Sequence, residues 1–174
     1  VKIEAVVKTS QELIEMVEDY RLDFGVVVTF NLPESLESAA LFDDSIVAVV
    51  QKNSIFSRVK EVSLKELRKA QLILYPASSQ TRQLIEAGFT RKGILPNIAM
   101  EMHYPAAMAS LVEQGMGIAL MSELSARRDK LSAQVAVPIK EFAGIRPLGV
   151  VWHKGRKLSP QSRAFIQAMQ TSLK

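Results

Sequence analysis

Cysteine is absent from the 174-residue sequence, which excludes disulfide bonds and thiol chemistry and fits a reducing compartment. No apolar run approaches the roughly 18 residues needed to cross a bilayer, and no charged leader precedes an apolar segment as in a secretory signal. Aromatic residues make up only 6%, too few to alternate with basic residues along a nucleic-acid groove. These absences favour a globular protein located in the cytoplasm.

Residue patterns typical of enzyme and metal sites are also missing. The sequence contains no G-x-S-x-G elbow, phosphate-binding loop or dinucleotide fingerprint. His103 and His153 are far apart, without carboxylates at a spacing typical of zinc sites. The paired carboxylates Asp43 and Asp44 precede an apolar strand, a setting that favours a solvated turn. We therefore expect no catalytic residues, no cofactor and no metal.

The charge is unevenly distributed along the chain. Residues 1–124 carry 12 basic and 16 acidic side chains, whereas residues 125–174 carry 10 basic and 2 acidic ones. A basic surface of this kind can attract anions or nucleic acid, although ordinary solvated strand and helix faces explain it as well. No segment has the pattern of a DNA-recognition helix.

Hydrophobic periodicity predicts an alternation of strands and helices. The predicted strands share short apolar or alternating runs and cover 1–7, 24–28, 46–50, 72–75, 98–102, 117–121, 135–139 and 148–152. Thr9 with Glu12 and Ser63 with Glu66 form capping boxes that open helices, and Gly88 is predicted to end a helix over 81–87. This order indicates an α/β protein with two small, mainly parallel sheets.

Several segments resemble, in the same order, those of the effector-binding domain of LysR-type transcriptional regulators. The most specific is AAMASLVEQGMGIALMSE, which is similar to the family pattern L-V-x-x-G-x-G-I-A-L-L-P, although Met121 and Ser122 depart from its proline ending. VKIEAVVKTSQELIEMVEDYRLDFGVVV resembles a strand, helix and strand of the first lobe, and RPLGVVWHKGRKLSPQSRAFIQAM the last strand and helix. The resemblance covers nearly the whole chain.

The resemblance implies two Rossmann-like lobes joined by crossing strands, similar to the type 2 periplasmic-binding-protein fold. The expected first lobe comprises residues 1–53 and 142–174, and the second comprises residues 54–141. Family domains begin with one more strand and helix, so the first strand–helix unit is expected to be missing. The winged helix-turn-helix region is expected to be absent as well, which would make the chain an N-terminally truncated regulator.

The resemblance also implies that a small, anionic metabolite binds between the lobes and that the change reaches a separate DNA-binding domain. Ligands of such sheets bind where strands end and helices begin. The candidate ligand-binding residues lie at such junctions: Thr9, Ser10, Val28, Thr29, Ser78, Ser79, Met102 and His103. For the hydroxyl residues a purely structural role as helix caps is the alternative.

The expected partners are a small-molecule effector, DNA only through a domain outside this chain, and further copies in a homodimer or tetramer of the full-length protein; no membrane is expected. Ile14 and Met16 on the first helix and Ile85 on the 79–87 helix are candidate dimer contacts, with a broadened core face as the alternative. Two other functions remain open: a solute-binding protein of a transporter and an enzyme on a similar two-lobed fold. The identity of the effector is not encoded in any motif.

Overall fold

The computed structural model describes residues 3–128, 133–143 and 145–172. In these residues strands and helices alternate, as the periodicity predicts. The strands are β1 Gly25–Val28, β2 Leu36–Asp44, β3 Ile46–Gln51, β4 Leu72–Leu74, β5 Ile98–Glu101, β6 Ile118–Ser122, β7 Gln134–Pro138 and β8 Arg146–His153. The α-helices are α1 Ser10–Glu18, α2 Leu64–Leu67, α3 Gln80–Arg91, α4 Pro105–Glu113, α5 Glu123–Arg128 and α6 Pro160–Ser172, and short 3₁₀ helices cover Ile55–Arg58 and Lys140–Phe142.

The chain forms two compact units. Unit 1 comprises Val1–Asp43 and Pro147–Lys174, and unit 2 comprises Asp44–Arg146. These bounds differ from those of the predicted lobes, which place residues 44–53 in the first lobe. The reason is strand pairing: β3 pairs with β6 and β7, so it belongs to unit 2.

Unit 1 contains a three-stranded sheet in the order β1-β8-β2. β1 is antiparallel to β8, with Gly25 opposite Val151 and Val28 opposite Leu148. The apolar face of α1 packs in the core of this unit. The buried core residues are Leu13, Ile14, Val17, Val27, Leu36 and Val151.

The prediction of a strand at residues 1–7 is wrong for residues 3–7, which are the residues of this segment that the structure describes. Residues 3–9 form no strand, and the side chains of Ile3 and Val7 are 67% and 96% exposed. An alternating sequence is not sufficient for a strand, because the backbone groups also need a neighbouring strand as hydrogen-bond partner. No described strand of this chain pairs with this segment.

Unit 2 contains a five-stranded sheet in the order β5-β4-β6-β3-β7. β4 is parallel to β5 and β6, but β3 is antiparallel to β6 and β7. The prediction of mainly parallel sheets is therefore wrong, and the fold is mixed α/β. Both faces of β3 are buried, since Ile46, Ala48 and Val50 pack in one core and Val47 and Val49 in another, which explains its continuous apolar run.

Gly88 does not end its helix as predicted. α3 continues to Arg91, and Gly88 lies buried inside it against the ring of Phe142. A Cβ atom at this position would overlap Cε1 of Phe142. The glycine therefore allows α3 to pack closely against the 3₁₀ helix Lys140–Phe142, a tertiary requirement that local sequence does not reveal.

Candidate functional site

Two neighbouring parallel strands of unit 2 end beside each other and lead into helices. Leu74, the last residue of β4, is paired with Glu101, the last residue of β5. The backbone N–H of Met102 donates to the Leu74 carbonyl at 2.9 Å. The segments 75–79 and 102–104 therefore leave the sheet at the same edge, and the helices α3 and α4 begin there.

The loop after β4 carries Ser78 and Ser79. Ser79 is the N-cap residue of α3, yet its side chain makes no capping hydrogen bond, and its backbone carbonyl accepts from the N–H of Gln83 at 3.0 Å. Ser78 is exposed, and its hydroxyl forms no hydrogen bond with another described residue. The hydroxyl groups of both residues are thus not used to build the fold.

The loop after β5 carries Met102 and His103. Met102 is partly buried against the hydrophobic cluster on one face of the sheet. His103 is exposed, and its ring centroid lies 6.4 Å from that of Tyr104. Tyr104 is the N-cap residue of α4 without a side-chain capping bond, and Pro105 occupies the first turn as predicted. The unit 2 edge thus combines the unused Ser79 hydroxyl, an exposed imidazole and two helix N-termini.

At the corresponding edge of unit 1, Thr9 forms the predicted capping box with Glu12. Thr9 Oγ1 donates to Glu12 Oε2 at 2.8 Å, and the Glu12 N–H donates to Thr9 Oγ1 at 3.3 Å. The backbone N–H of Thr9 donates to the same carboxylate at 2.9 Å and, with the Thr9 hydroxyl and Lys8, lowers the pKa of Glu12 below its ordinary value. The Thr9 side chain is therefore engaged in stabilising α1.

The structure brings Ser10 together with Val28, as expected for neighbouring strand and helix ends. Ser10 Oγ accepts a hydrogen bond from the Val28 N–H at 3.1 Å. The N–H of Thr29 donates to the Pro147 carbonyl at 2.9 Å, which extends the β1–β8 pairing. These polar groups of unit 1 are satisfied within the unit.

A buried polar cluster at the unit 2 edge was not identified from the sequence. The Asp44 carboxylate accepts from Ser122 Oγ at 2.6 Å, from the Ser45 N–H at 2.9 Å and from Arg146 Nη1 at 2.9 Å. Arg146 Nε donates to Thr81 Oγ1 at 3.1 Å. The interpretation of Asp44 as a solvated turn residue is wrong, since only 5% of the residue is exposed. Its pairing with a residue 102 positions later could not be read from local sequence.

Asp44 and Arg146 are also the first and last residues of unit 2. Their ion pair therefore holds together the two points at which the chain enters and leaves this unit. Tyr75 lies at the same edge, and burial raises the pKa of its phenol above 10.0. We expect a neutral Tyr75 hydroxyl at every physiological pH.

A buried cation fixes the loop after β4. Arg82, in α3, is only 3% exposed. Its Nη1 donates to the Tyr75 carbonyl at 2.6 Å and to Glu101 at 3.0 Å, and its Nε donates to Glu86 at 2.9 Å. Glu101 is the last residue of β5 and Tyr75 follows the last residue of β4. Arg82 therefore links the ends of these two strands.

The isoleucines proposed as dimer contacts are core residues. Ile14 is 1% exposed and Ile85 is 0% exposed. The alternative interpretation, a broadened core face of each helix, is confirmed for both isoleucines, and neither side chain is available at a surface of the chain. Met16 is partly buried, and its role as a dimer contact stays a prediction.

Neither a metal site nor a membrane-spanning helix is found in the part of the chain that the structure describes. No group of His, Asp and Glu side chains there could hold a metal ion. No helix among these residues is long and apolar enough to span a bilayer.

A family model described as the LysR substrate binding domain matches residues 1–174. The chain belongs to this family. Among curated relatives of this LysR domain, it is 28% identical over 158 residues to the uncharacterized HTH-type transcriptional regulator YfeR of Shigella flexneri, covering 91% of this chain and 51% of that protein. It is also 28% identical over 158 residues to the transcriptional dual regulator GltC of Bacillus subtilis, covering 89% and 52%. The LysR domain thus spans about half the length of these regulators.

Solved structures of LysR-type proteins share the fold. The effector binding domain of QuiR in complex with shikimate superimposes with a TM-score of 0.84 at 21% identity, covering 95% of this chain and 78% of that one. The regulatory domain of CcmR from Synechocystis in complex with 2-PG gives a TM-score of 0.84 at 19% identity, covering 95% and 80%. These likenesses establish the two-lobed, periplasmic-binding-protein-like fold predicted from the sequence.

Proposed function

We propose that this LysR domain is the ligand-sensing part of a DNA-binding transcriptional regulator and that its effector is a small organic acid. The observation that carries the proposal is the unit 2 edge, where two parallel strands end beside each other and the Ser79 hydroxyl is not used as a helix cap. The side-chain oxygen of an N-cap serine normally accepts a hydrogen bond from a backbone N–H of the first helical turn. A hydroxyl left out of this role is available to a ligand.

The helix N-termini at this edge favour an anion. α3 and α4, of 12 and 9 residues, both begin there, and the backbone N–H groups of a first helical turn have no partner within the helix. The helix dipoles add positive potential at the same ends. A carboxylate or phosphate group can accept from these N–H groups, while Ser78, Ser79, Met102 and the exposed His103 contact the rest of the ligand.

The candidate ligand residues of unit 1 lie at the start of α1 and the end of β1. Thr9, Ser10, Val28 and Thr29 remain proposed ligand residues, because a capping hydroxyl such as that of Thr9 still has a second lone pair exposed to solvent. Since the hydroxyl groups of Thr9, Ser10 and Thr29 and the backbone N–H of Val28 already have partners, we expect each of these residues to contribute less to affinity than Ser79.

The effector proposal is tested by calorimetric titration of the protein with a panel of small organic acids that includes shikimate and 2-PG, the ligands bound to QuiR and CcmR. We expect saturable binding of at least one acid, weakened about tenfold by Ser79→Ala through loss of a hydrogen bond. Asn53→Ala, an exposed substitution in a loop of the same unit, is the control. A panel without any saturable binding would contradict the proposal of an organic-acid effector.

The wider role follows from the regulators that the LysR domain resembles. We propose that DNA is contacted only by a separate helix-turn-helix region, that the full-length regulator is a cytoplasmic homodimer or tetramer, and that it has no enzymatic activity. A mobility-shift titration at physiological salt is the check. Sequence-selective DNA binding by residues 1–174 alone would contradict the proposal that only a separate region contacts DNA. Weak binding that salt abolishes would not contradict it.

A further inference from the structure

Unit 2 contains a basic groove that lies away from the candidate effector site. The groove has a volume of about 590 Å³ and is lined by Ser63, Lys65, Arg68, Lys92, Gly93, Ile94, Lys140 and Glu141. Lys92 is the C-cap residue of α3, whereas Ser79 is its N-cap residue. A helix of 12 residues is roughly 18 Å long, so the groove and the effector site lie at opposite ends of α3.

Three separate segments bring cations to this groove. Lys65 and Arg68 come from α2 and its C-cap, Lys92 from the end of α3 and Lys140 from a 3₁₀ helix. All four side chains are exposed. The unit as a whole has 14 basic and 9 acidic side chains, a net charge of +5. The groove concentrates much of this excess in one place.

The single carboxylate that lines the groove is already engaged. Glu141 Oε2 accepts from the Leu64 N–H at 3.2 Å, and Glu141 Oε1 lies 4.0 Å from Lys92 Nζ. Lys65, Arg68 and Lys140 form no ion pair with any residue in the described ranges. Cations held close together without counter-charges repel each other, and a multiply charged anion relieves that repulsion.

We propose that this groove is a second anion site, which binds a small molecule carrying a diphosphate or two phosphate groups. Phosphate chemistry fits because the guanidinium of Arg68 can bind two phosphate oxygens at once, and the lysines act as point charges for the remaining oxygens. The partly buried Ile94 provides an apolar wall for the non-phosphate part of the ligand. The groove is open to solvent, so binding is weak and strongly dependent on salt.

The test is calorimetric titration of the protein with inorganic pyrophosphate at low ionic strength. The variant Arg68→Gln with Lys140→Gln removes one arginine and one lysine from the groove. Its matched control, Lys52→Gln with Arg58→Gln, removes the same charges from exposed positions of the same unit outside the groove. Thermal melting checks that both variants remain folded.

We expect saturable binding of one pyrophosphate, weakened about tenfold in the groove variant and less than about twofold in the control. The backbone amide of Gly93, which lines the groove, should shift in the NMR spectrum during the titration. Equal losses of pyrophosphate affinity in both variants would overturn the proposal, because they would show that overall charge decides binding. Absence of saturable binding would also overturn it. A short DNA duplex that binds more tightly than pyrophosphate through Arg68 and Lys140 would overturn it in favour of a nucleic-acid surface.

Discussion

The two units place polar side chains at helix N-termini in the same way but use them differently. In unit 1, the Thr9 hydroxyl is part of a capping box, and the Ser10 hydroxyl accepts the N–H of Val28. In unit 2, Ser79 occupies the cap position without a side-chain bond, and the loop is held instead by the buried Arg82, which donates to the Tyr75 carbonyl. The Ser79 hydroxyl is therefore left for a ligand because other groups stabilise its loop, whereas the Thr9 and Ser10 hydroxyls are engaged in the fold.

The largest expected effect comes from removing Arg146, the partly buried cation that pairs with Asp44 in unit 2. Arg146→Met leaves the Asp44 carboxylate buried without its counter-charge, and we expect a loss of about 3 kcal/mol in the free energy of unfolding. Urea denaturation measures it. Arg127→Met is the control, because Arg127 pairs with Glu123 at an exposed position and should cost less than about 1 kcal/mol. Equal losses of stability in Arg146→Met and Arg127→Met would show that the unit 2 edge does not depend on the Asp44–Arg146 pair.

A smaller effect is expected from Gly88→Ala, which tests how α3 is held in place. The added methyl group overlaps the Phe142 ring, and overpacking of this kind costs about 1–3 kcal/mol. The double variant with Phe142→Leu should recover part of the loss in a thermal melt. Gly88→Ala with wild-type stability would mean that the ring moves away without cost.

The comparison between the N-cap residues Thr9 and Ser79 predicts that their substitutions differ by about 1 kcal/mol in their effect on the free energy of unfolding. Thr9→Val removes a capping hydroxyl and should destabilise the protein by about that amount. Ser79→Ala removes a hydroxyl without a capping bond, so its melting temperature should match that of the wild type. If Ser79→Ala is destabilised as strongly as Thr9→Val, the two edges are not different in the way described.

The smallest effect is the pH dependence of the unit 1 cap. The pKa of Glu12 is lowered from 4.5 by the backbone and hydroxyl of Thr9. A lowered carboxyl pKa stabilises the folded state above the unfolded value, and this contribution is lost as the pH falls through the lowered pKa. The stability difference between wild type and Glu12→Gln should therefore be largest above pH 4.5 and shrink below it. A difference that does not change with pH would exclude the ionised carboxylate as its origin.

Local patterns predicted the elements well and their partners poorly. The capping boxes, the buried runs of β3 and β6 and the proline at the start of α4 depend on neighbouring residues, and all are confirmed. The direction of β3, the absence of a strand at residues 3–9 and the role of Gly88 depend on residues distant in sequence. The Asp44–Arg146 pair escaped prediction for the same reason, because it joins residues 102 positions apart.

The assignment of the unit 2 edge as the effector site is tested by titrating Ser79→Ala and Thr9→Val side by side with the organic acid that binds most tightly in the panel. We expect Ser79→Ala to raise Kd about tenfold without changing the melting temperature. Thr9→Val should lower the melting temperature and raise Kd by a smaller factor. A Ser79→Ala variant that binds the acid as tightly as the wild type would contradict the assignment of the unit 2 edge as the main effector contact.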